Sequence, residues 1–410
     1  MSVNDLIDSA QNPTDNGASG ALEGVRVLEL GQLIAGPFCG QLLADLGAEV
    51  IKIELPGRGD PMREWGKGEP VWWPVIARNK KCITLDVRKE QGKAVISELV
   101  GKADIVLENF RPGTMEKWGL GYADLARINK GIVMVRVSGY GQEGPYSERA
   151  GYGGIGEAMG GLRYIVGDPS TPPSRVGISI GDTLAAMFAA VGALSALQSR
   201  NRTGQGQVVD SAIFEAVLGV MESTVSEYDQ LGTIRERTGS ILAKIAPSNV
   251  YPTADNDMII MGANQDTVFA RLCEAMQQPE LAQDKRFSTH TARGENQAEL
   301  DDLISAWSEQ FAADELLALL EGHAVPAGRI YRAPEMLKDE HFIARESIVD
   351  VEHPKYENLK MQNVFPRLSA TPGKIKWTGP ALGQHNEDIY QGLLGYDAAD
   401  LERLRREGII

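Results

Sequence analysis

From residue 25 to residue 138 short runs of branched and apolar residues alternate with longer segments whose apolar positions recur every three to four residues. The short runs, 25–30, 50–54, 82–87, 104–108 and 132–138, read as strands. Segments 37–46 and 89–101 read as helices, each set between two strands. That alternation is the mark of βαβ units with right-handed crossovers, and it predicts an open parallel sheet in an α/β layer.

Beyond this layer, 139–173 is rich in Gly, Pro, Ser and Tyr, and an apolar helix is expected to begin after Asp182 and to end near Arg200. A turn over 201–206, a strand over 207–210 and a helix over 212–229 follow. A second α/β unit starts at Asn249, with a strand over 258–262 and helices over 267–276, 297–310 and 313–322. The tail is expected to form strands within 348–367 and a last helix over 397–407. The chain thus divides into a polar, flexible arm (1–20), the first part of a large domain (21–230), a small domain with its linkers (231–335) and a C-terminal part that returns to the large domain (336–410).

Composition narrows the function. With 410 residues, 43% of them hydrophobic and 24% charged, the chain suffices for about two domains with a sizeable core. A net charge of −15 argues against nucleic acid and anionic lipid as partners. It leaves room for a local cluster of cations around an anionic small ligand. Cys39, Cys82 and Cys273 are far apart with no CxxC spacing, and the histidines His290, His323, His341, His353 and His385 show no HxxxH or HExxH pattern. Neither a disulfide framework nor a metal site is expected, and a reducing cytoplasm fits. The arm lacks a basic region followed by an apolar one, so no signal peptide is read there. The longest apolar stretch, 184–197, is short and alanine-rich, and a soluble protein is expected.

Two segments match GxGxxG, Gly139 to Gly144 and Gly151 to Gly156. A dinucleotide fingerprint needs a strand before it and a helix opening inside it. The first runs into Pro145 and the second lacks the strand, so both are expected to be flexible loops. Asp182 stands before the most apolar helix of the chain, where a carboxylate either caps backbone N–H groups or, desolvated and favoured by the helix dipole, acts as a nucleophile. Position alone leaves both open. Lys52, Arg88, Arg111 and Lys117 lie on or just after strands, and Arg58 and Arg63 follow the second strand. Ligands of open α/β sheets collect at strand C-terminal ends, so these cations are phosphate-site candidates, against a plain reading as solvated surface.

Taken in order, Leu22-Glu-Gly-Val25, Ala35-Gly-Pro37, the run from Asp45 to Glu54, Gly59-Asp60, Arg78-Asn-Lys80, Glu108-Asn-Phe-Arg-Pro-Gly113, Gly139-Tyr-Gly141, Gly181-Asp182, Thr203-Gly-Gln-Gly206 and Leu382-Gly-Gln-His385 resemble the class III CoA-transferases, the group of formyl-CoA transferase and carnitine CoA-transferase. The resemblance runs from Leu22 to the C-terminus. It implies a large Rossmann-like open-sheet domain, a smaller α/β domain and an interlocked homodimer, with coenzyme A bound at the large domain as substrate and no permanent cofactor. Residue by residue it implies CoA contacts at Leu33, Ile34, Ala35, Leu85, Arg88, Asn109, Phe110, Arg111, Lys117 and Tyr140, and a nucleophile at Asp182. Ile34 stands where formyl-CoA transferase has Gln, Leu55 replaces a basic residue, and Gly262-Ala-Asn-Gln265 replaces its glycine tetrad, which points away from oxalate. The overall likeness is to succinyl-CoA-dependent transferases for C4 to C6 dicarboxylates such as malate, citramalate, mesaconate or itaconate, with Arg63, Arg149 and Arg175 as candidates for the second carboxylate.

An aspartate nucleophile exchanges thioester for carboxylate without metal, histidine or redox group. The racemases that share the fold carry His-Asp where this chain has Tyr152 and Gly153, and no histidine precedes His290, so a proton shuttle lacks its base. A CoA shift within one dicarboxylate remains a variant, and a non-catalytic CoA-binding protein is the alternative from another class.

Overall fold

In the computed structural model, which describes residues 20–410, six strands form one sheet: β1 (Arg26–Glu29), β2 (Glu49–Glu54), β3 (Lys80–Thr84), β4 (Ile105–Glu108), β5 (Val133–Ser138) and β6 (Val208–Ala212). Their order is β3-β2-β1-β4-β5-β6, and every neighbouring pair is parallel. The arm expected over 1–20 lies, Gly20 apart, outside the described residues.

Both faces of this sheet are covered, which is why its strands read as nearly unbroken apolar runs. The two-residue period sorts the side chains: Leu28, Ile51, Val106 and Met134 enter one core, Val27, Val50, Ile105 and Val133 the other. Helix α2 (Glu90–Val100) and the C-terminal helix α6 (Ala398–Arg406) supply the first core. Helix α1 (Ala35–Asp45) and α4 (Ile180–Thr203) supply the second. Helix α4 is long and apolar enough to cross a membrane by length and composition. Its Ala185, Ala186, Ala189, Ala193 and Ala196 are nevertheless buried against the sheet, small residues that bring the helix axis close.

Several boundaries moved for identifiable reasons. The third strand starts at Lys80, two residues before the predicted start, and Lys80 is buried and ion-paired there. The single helix expected over 212–229 is two, α5 (Ile213–Leu218) and a separate helix Thr224–Leu231; Gly219 follows the first, and Glu222 takes a positive φ. The second GxGxxG segment, expected to be a loop, opens helix α3 (Gly153–Met159), yet no strand precedes it.

Contacts group the described residues into two units. The first takes in everything up to Leu162, Gly177–Val225 and Arg345–Ile410, including the hairpin β10 (Ile348–His353) and β11 (Glu357–Gln362). The second takes in Arg163–Val176 and Ser226–Ala344. It holds an antiparallel sheet of β7 (Ser248–Pro252), β8 (Met258–Gly262) and β9 (Ala327–Arg329), packed on helices Asp266–Ala275, Gln297–Ser308 and Ala313–Gly322. Its fully buried Arg293 donates to the carbonyls of Ala246, Phe287 and Asn264 and pairs with Asp266 at 2.6 Å. The 262–265 segment is thereby anchored through Asn264.

Candidate active site

Strands β1 and β4 are neighbours, and the chain leaves them in opposite directions across the sheet, so the crevice outside their C-terminal ends is a topological switch point. The loop after β1 (30–34) and the loop after β4 (109–113) meet there. Asn109 Oδ1 accepts the Gln32 N–H at 2.7 Å and Asn109 Nδ2 donates to the Gln32 carbonyl at 2.9 Å, a two-bond clasp. A methyl group on Gly31 would lie 3.0 Å from Gly36 Cα and 3.1 Å from Asn109 Oδ1, so the close approach requires glycine. Leu33 has φ of +62°, the left-handed region, which costs a branched side chain about 1–2 kcal/mol. Helix α1 then starts with Ile34 at its N-cap and no side-chain cap, leaving its first amides open toward the crevice.

The residues implied as CoA contacts fall around this edge. Leu33, Ile34, Asn109 and Phe110 are half-buried on the two clasped loops, with Phe110 edge-on to Trp118 at 5.1 Å. Arg111 and Lys117 are exposed and have no ion-pair partner among the described residues. Tyr140, after β5, packs between Tyr146 and Phe214. Leu85 and Arg88 follow β3 at the far end of the order. The side chains of Leu85 and Ala35 are buried in the two cores and offer a ligand no side-chain contact.

Two expected roles for cations, those of Lys52 and Arg63, need correction, and a third cation, Arg88, has a partner of its own. Lys52 is 1% exposed and bound to Asp60 at 2.7 Å, with Glu29 at 3.3 Å, so it cannot touch phosphate. Arg63 is held by both oxygens of Glu54, each at 2.7 Å, and by the Pro380 carbonyl, so it is not a free partner for a second carboxylate. Arg88 is exposed but already chelated by Asp86 at 2.7 and 2.8 Å; the Asp86 bonds raise the guanidinium above its ordinary value. Arg149 lies 3.6 Å over the Tyr146 ring.

Asp182 is not an N-cap. Ser179 occupies that position, and Asp182 stands in the first turn of α4, where the helix dipole favours negative charge. A chain of glycine contacts places it at the same strand edge. A methyl on Gly139, just past β5, would be 3.0 Å from Gly151 Cα, and one on Gly153 would be 2.1 Å from Asp182 Oδ2. Only glycine at 153 lets α3 approach that carboxylate. Helix α5, leaving β6, closes the other side: Ile213 Cγ2 would be 2.4 Å from a methyl on Gly156. Glu157, 1% exposed, accepts the Gly181 N–H at 3.4 Å and completes a half-buried carboxylate setting. Tyr152, in the place of the racemase His-Asp, is 73% exposed.

A cavity of about 530 Å³ lies elsewhere in the first unit, beside Arg63, Trp73, His353, Tyr356 and Trp377, and none of the ten implied CoA contacts lines it. The residues implied as CoA contacts, and Asp182, lie instead along the C-terminal edge of the strands.

Residues 22–386 match CoA-transferase family III. The chain belongs to that family. It is 62% identical over 393 residues, covering 95% of this chain and 98% of the other, to the succinyl-CoA–D-citramalate CoA-transferase of Chloroflexus aurantiacus. It is 38% identical, over 95% of this chain and 92% of the other, to the alpha subunit of the succinyl-CoA–L-malate CoA-transferase of the same species. Among solved structures, a CaiB/BaiF family protein from Brucella suis superimposes with a TM-score of 0.83 at 34% identity, over 92% of this chain and 100% of that one. This CoA-transferase therefore uses CoA thioesters as substrates.

Sequence reasoning missed Glu29, Lys80, Gly153 and Glu157 as site-building residues, and quoted Asp60 without a role. Glu29 closes β1 and Lys80 opens β3, charged residues at strand ends where a solvated position is the ordinary expectation, so sequence offered no signal for either.

Proposed function

We propose that this CoA-transferase moves CoA from succinyl-CoA to a C4 to C6 dicarboxylic acid, D-citramalate first among them, through an aspartyl-CoA thioester at Asp182. What supports this choice of acceptor is the 62% identity, over 95% of the chain, to a succinyl-CoA–D-citramalate CoA-transferase. The observation that supports the mechanism is the close packing of Gly153 on Asp182, where a methyl group at 153 would lie 2.1 Å from Asp182 Oδ2, so that the glycine leaves the carboxylate its place at the strand edge.

A carboxylate oxygen of Asp182 attacks the thioester carbon of succinyl-CoA and expels CoA thiolate, giving a mixed anhydride. The thiolate attacks the aspartyl carbon, releases succinate and leaves the aspartyl-CoA thioester. The acceptor carboxylate attacks that carbon, forms a second anhydride and frees the thiolate again. Attack of the thiolate on the acceptor acyl carbon releases the new acyl-CoA and restores the Asp182 carboxylate. Each step exchanges carboxylate for thiolate, so no external proton donor or oxidant is needed. Arg111 and Lys117 offer unpaired charge for the CoA phosphates.

The working form in this reading is a homodimer. Tyr152 at the start of α3, Ile155 and Met159 on it, and Met187, Phe188 and Val191 on α4 are exposed apolar side chains at two helices that pack together, a surface that monomers rarely leave open.

The test is wild type against Asp182→Asn with succinyl-CoA and a panel of dicarboxylates, products read by mass spectrometry. The amide has no anionic oxygen, so Asp182→Asn is expected to fold and bind CoA while turnover falls by about a thousandfold or more. Hydroxylamine added during wild-type turnover is expected to mark the Asp182 peptide. A mark on Glu157, or near-normal turnover of Asp182→Asn, sinks the mechanism; D-citramalate ranking behind other acids sinks the substrate assignment.

A further inference from the structure

The loop between β1 and α1 carries Leu33 and Ile34 and is held from below by a buried charge string. Lys80 Nζ lies 2.8 Å from Glu29 Oε2, Glu29 Oε1 lies 3.3 Å from Lys52 Nζ, and Lys52 Nζ lies 2.7 Å from Asp60 Oδ2. All four side chains are at most 2% exposed. The end of the string reaches the loop backbone twice. Lys52 Nζ donates to the Gly31 carbonyl, and Asp60 Oδ1 accepts the Leu33 N–H at 3.1 Å while also accepting the Met62 N–H at 2.9 Å. Asp60 itself is fixed from behind, its own N–H donating to Glu54 Oε2 at 2.9 Å.

A buried ion pair is a weak source of stability, because desolvation offsets the attraction, and apolar residues of the same volume often serve as well. What this pair offers that apolar residues cannot is a donor and an acceptor aimed at Gly31 and Leu33. Those two residues flank Gln32, which Asn109 clasps from above. Between the bonds sits Leu33 with its left-handed φ, a conformation that persists only when its surroundings over-determine it. Burial opposes the charge on both partners, yet Lys52 is held above its ordinary value by Asp60 and Glu29, and Asp60 below its own by Lys52, so the pair stays ionised.

We propose that Asp60 and Lys52 are positioning residues of the transferase: they lock the 30–34 loop, and with it left-handed Leu33 and the open start of α1, into the shape that receives CoA. This rests on the strand edge being the CoA site, as in the proposed function. The pair acts on substrate binding through the loop and does not touch the reacting atoms. Its loss therefore weakens ground state and transition state alike, raising KM and leaving kcat nearly alone.

The experiment titrates free CoA calorimetrically into wild type, Asp60→Ala and Asp60→Asn, with steady-state kinetics and hydrogen exchange over the peptide that contains 30–36. Asp60→Ala is expected to raise the Kd for CoA and the KM for succinyl-CoA about tenfold, to change kcat less than about threefold, and to speed exchange in that peptide while the protein still melts cooperatively. Asp60→Asn keeps an oxygen for the Leu33 N–H and is expected to fall between, with Kd raised about threefold. An Asp60→Ala protein that binds CoA as wild type does, or loses kcat at unchanged KM, overturns the positioning role while leaving the transferase reading intact. If the alanine variant does not fold, the asparagine variant decides, and a Kd equal to wild type overturns the role. Failure of both to fold assigns the pair to stability and also overturns it. Wild type that does not bind CoA takes down both readings.

Discussion

The switch point uses its cations in two ways. Beneath the loops, Lys52, Lys80, Arg63 and Arg136 are each tied to a carboxylate, and the side chains of Lys52, Lys80 and Arg136 are at most 7% exposed. Above them, Arg111 and Lys117 are exposed and unpaired among the described residues. The first group is bound to the fold and the second is available to a ligand. All six lie between residues 52 and 136, on strands or in the segments after them, so residue type does not separate holding from binding. Depth does.

The largest effect is expected where a buried cation is removed. Lys80 is fully buried between Glu29 and the Pro37 carbonyl, 2.7 Å away, and burial holds its ammonium below the ordinary value. Lys80→Met fills a similar volume but strands half of Glu29 and the carbonyl. Breaking a buried pair costs about 3–5 kcal/mol. Denaturant unfolding is expected to show that loss, with the KM of whatever remains folded little changed. A Lys80→Met protein as stable as wild type would show that the buried string is dispensable to the fold.

A smaller and different effect is expected above the loops. Arg111→Ala together with Lys117→Ala removes two exposed charges with no ion-pair partner among the described residues, so unfolding is expected to move by about 0.5 kcal/mol or less. KM for succinyl-CoA is expected to rise about tenfold at low salt with kcat nearly constant, and the difference from wild type to shrink as salt screens the exposed charges. An unchanged KM would remove both residues from the site, and a loss of stability instead would erase the contrast with Lys80.

Much of this layout was legible in the sequence. The parallel layer followed from apolar runs alternating with helical periods, and the family followed from motifs spread over most of the chain. The resemblance also named residues on both clasped loops, Leu33, Ile34, Asn109 and Phe110, though that the loops meet depends on the strand order. What stayed hidden is three-dimensional pairing. Asp60 and Lys52 are eight positions apart, and nothing in their spacing says that Lys52 points down into Asp60 and Glu29 and not out toward phosphate. Lys80 fell outside the strand read over 82–87 because its carboxylate partner lies on another strand, with β2 between them. Gly153 read as one glycine of a loop, since its meaning is a steric gap against a side chain 29 positions later. Asp182 was identifiable as special, but its place in the first turn and not at the cap depended on Ser179, whose backbone begins the helix.

The finest test of the contrast is Arg88, which belongs to neither group. Its side chain is 54% exposed, as a ligand-binding cation should be, yet Nε and Nη2 are already held by the two oxygens of Asp86. The Asp86 carboxylate also accepts the Arg88 N–H at 3.1 Å, so the pair closes a local turn after β3. Such an exposed pair is worth at most about 1 kcal/mol, and a phosphate must compete with Asp86 for the same guanidinium. Arg88→Ala is therefore expected to raise the KM for succinyl-CoA by less than about threefold, below the effect of Arg111→Ala measured in the same buffer. Asp86→Asn, which loosens the chelate, is expected to leave KM unchanged or to lower it. If Arg88→Ala weakens CoA binding as much as Arg111→Ala does, exposure alone and not freedom from a carboxylate decides which cations serve the ligand, and the distinction drawn at this sheet edge gives way.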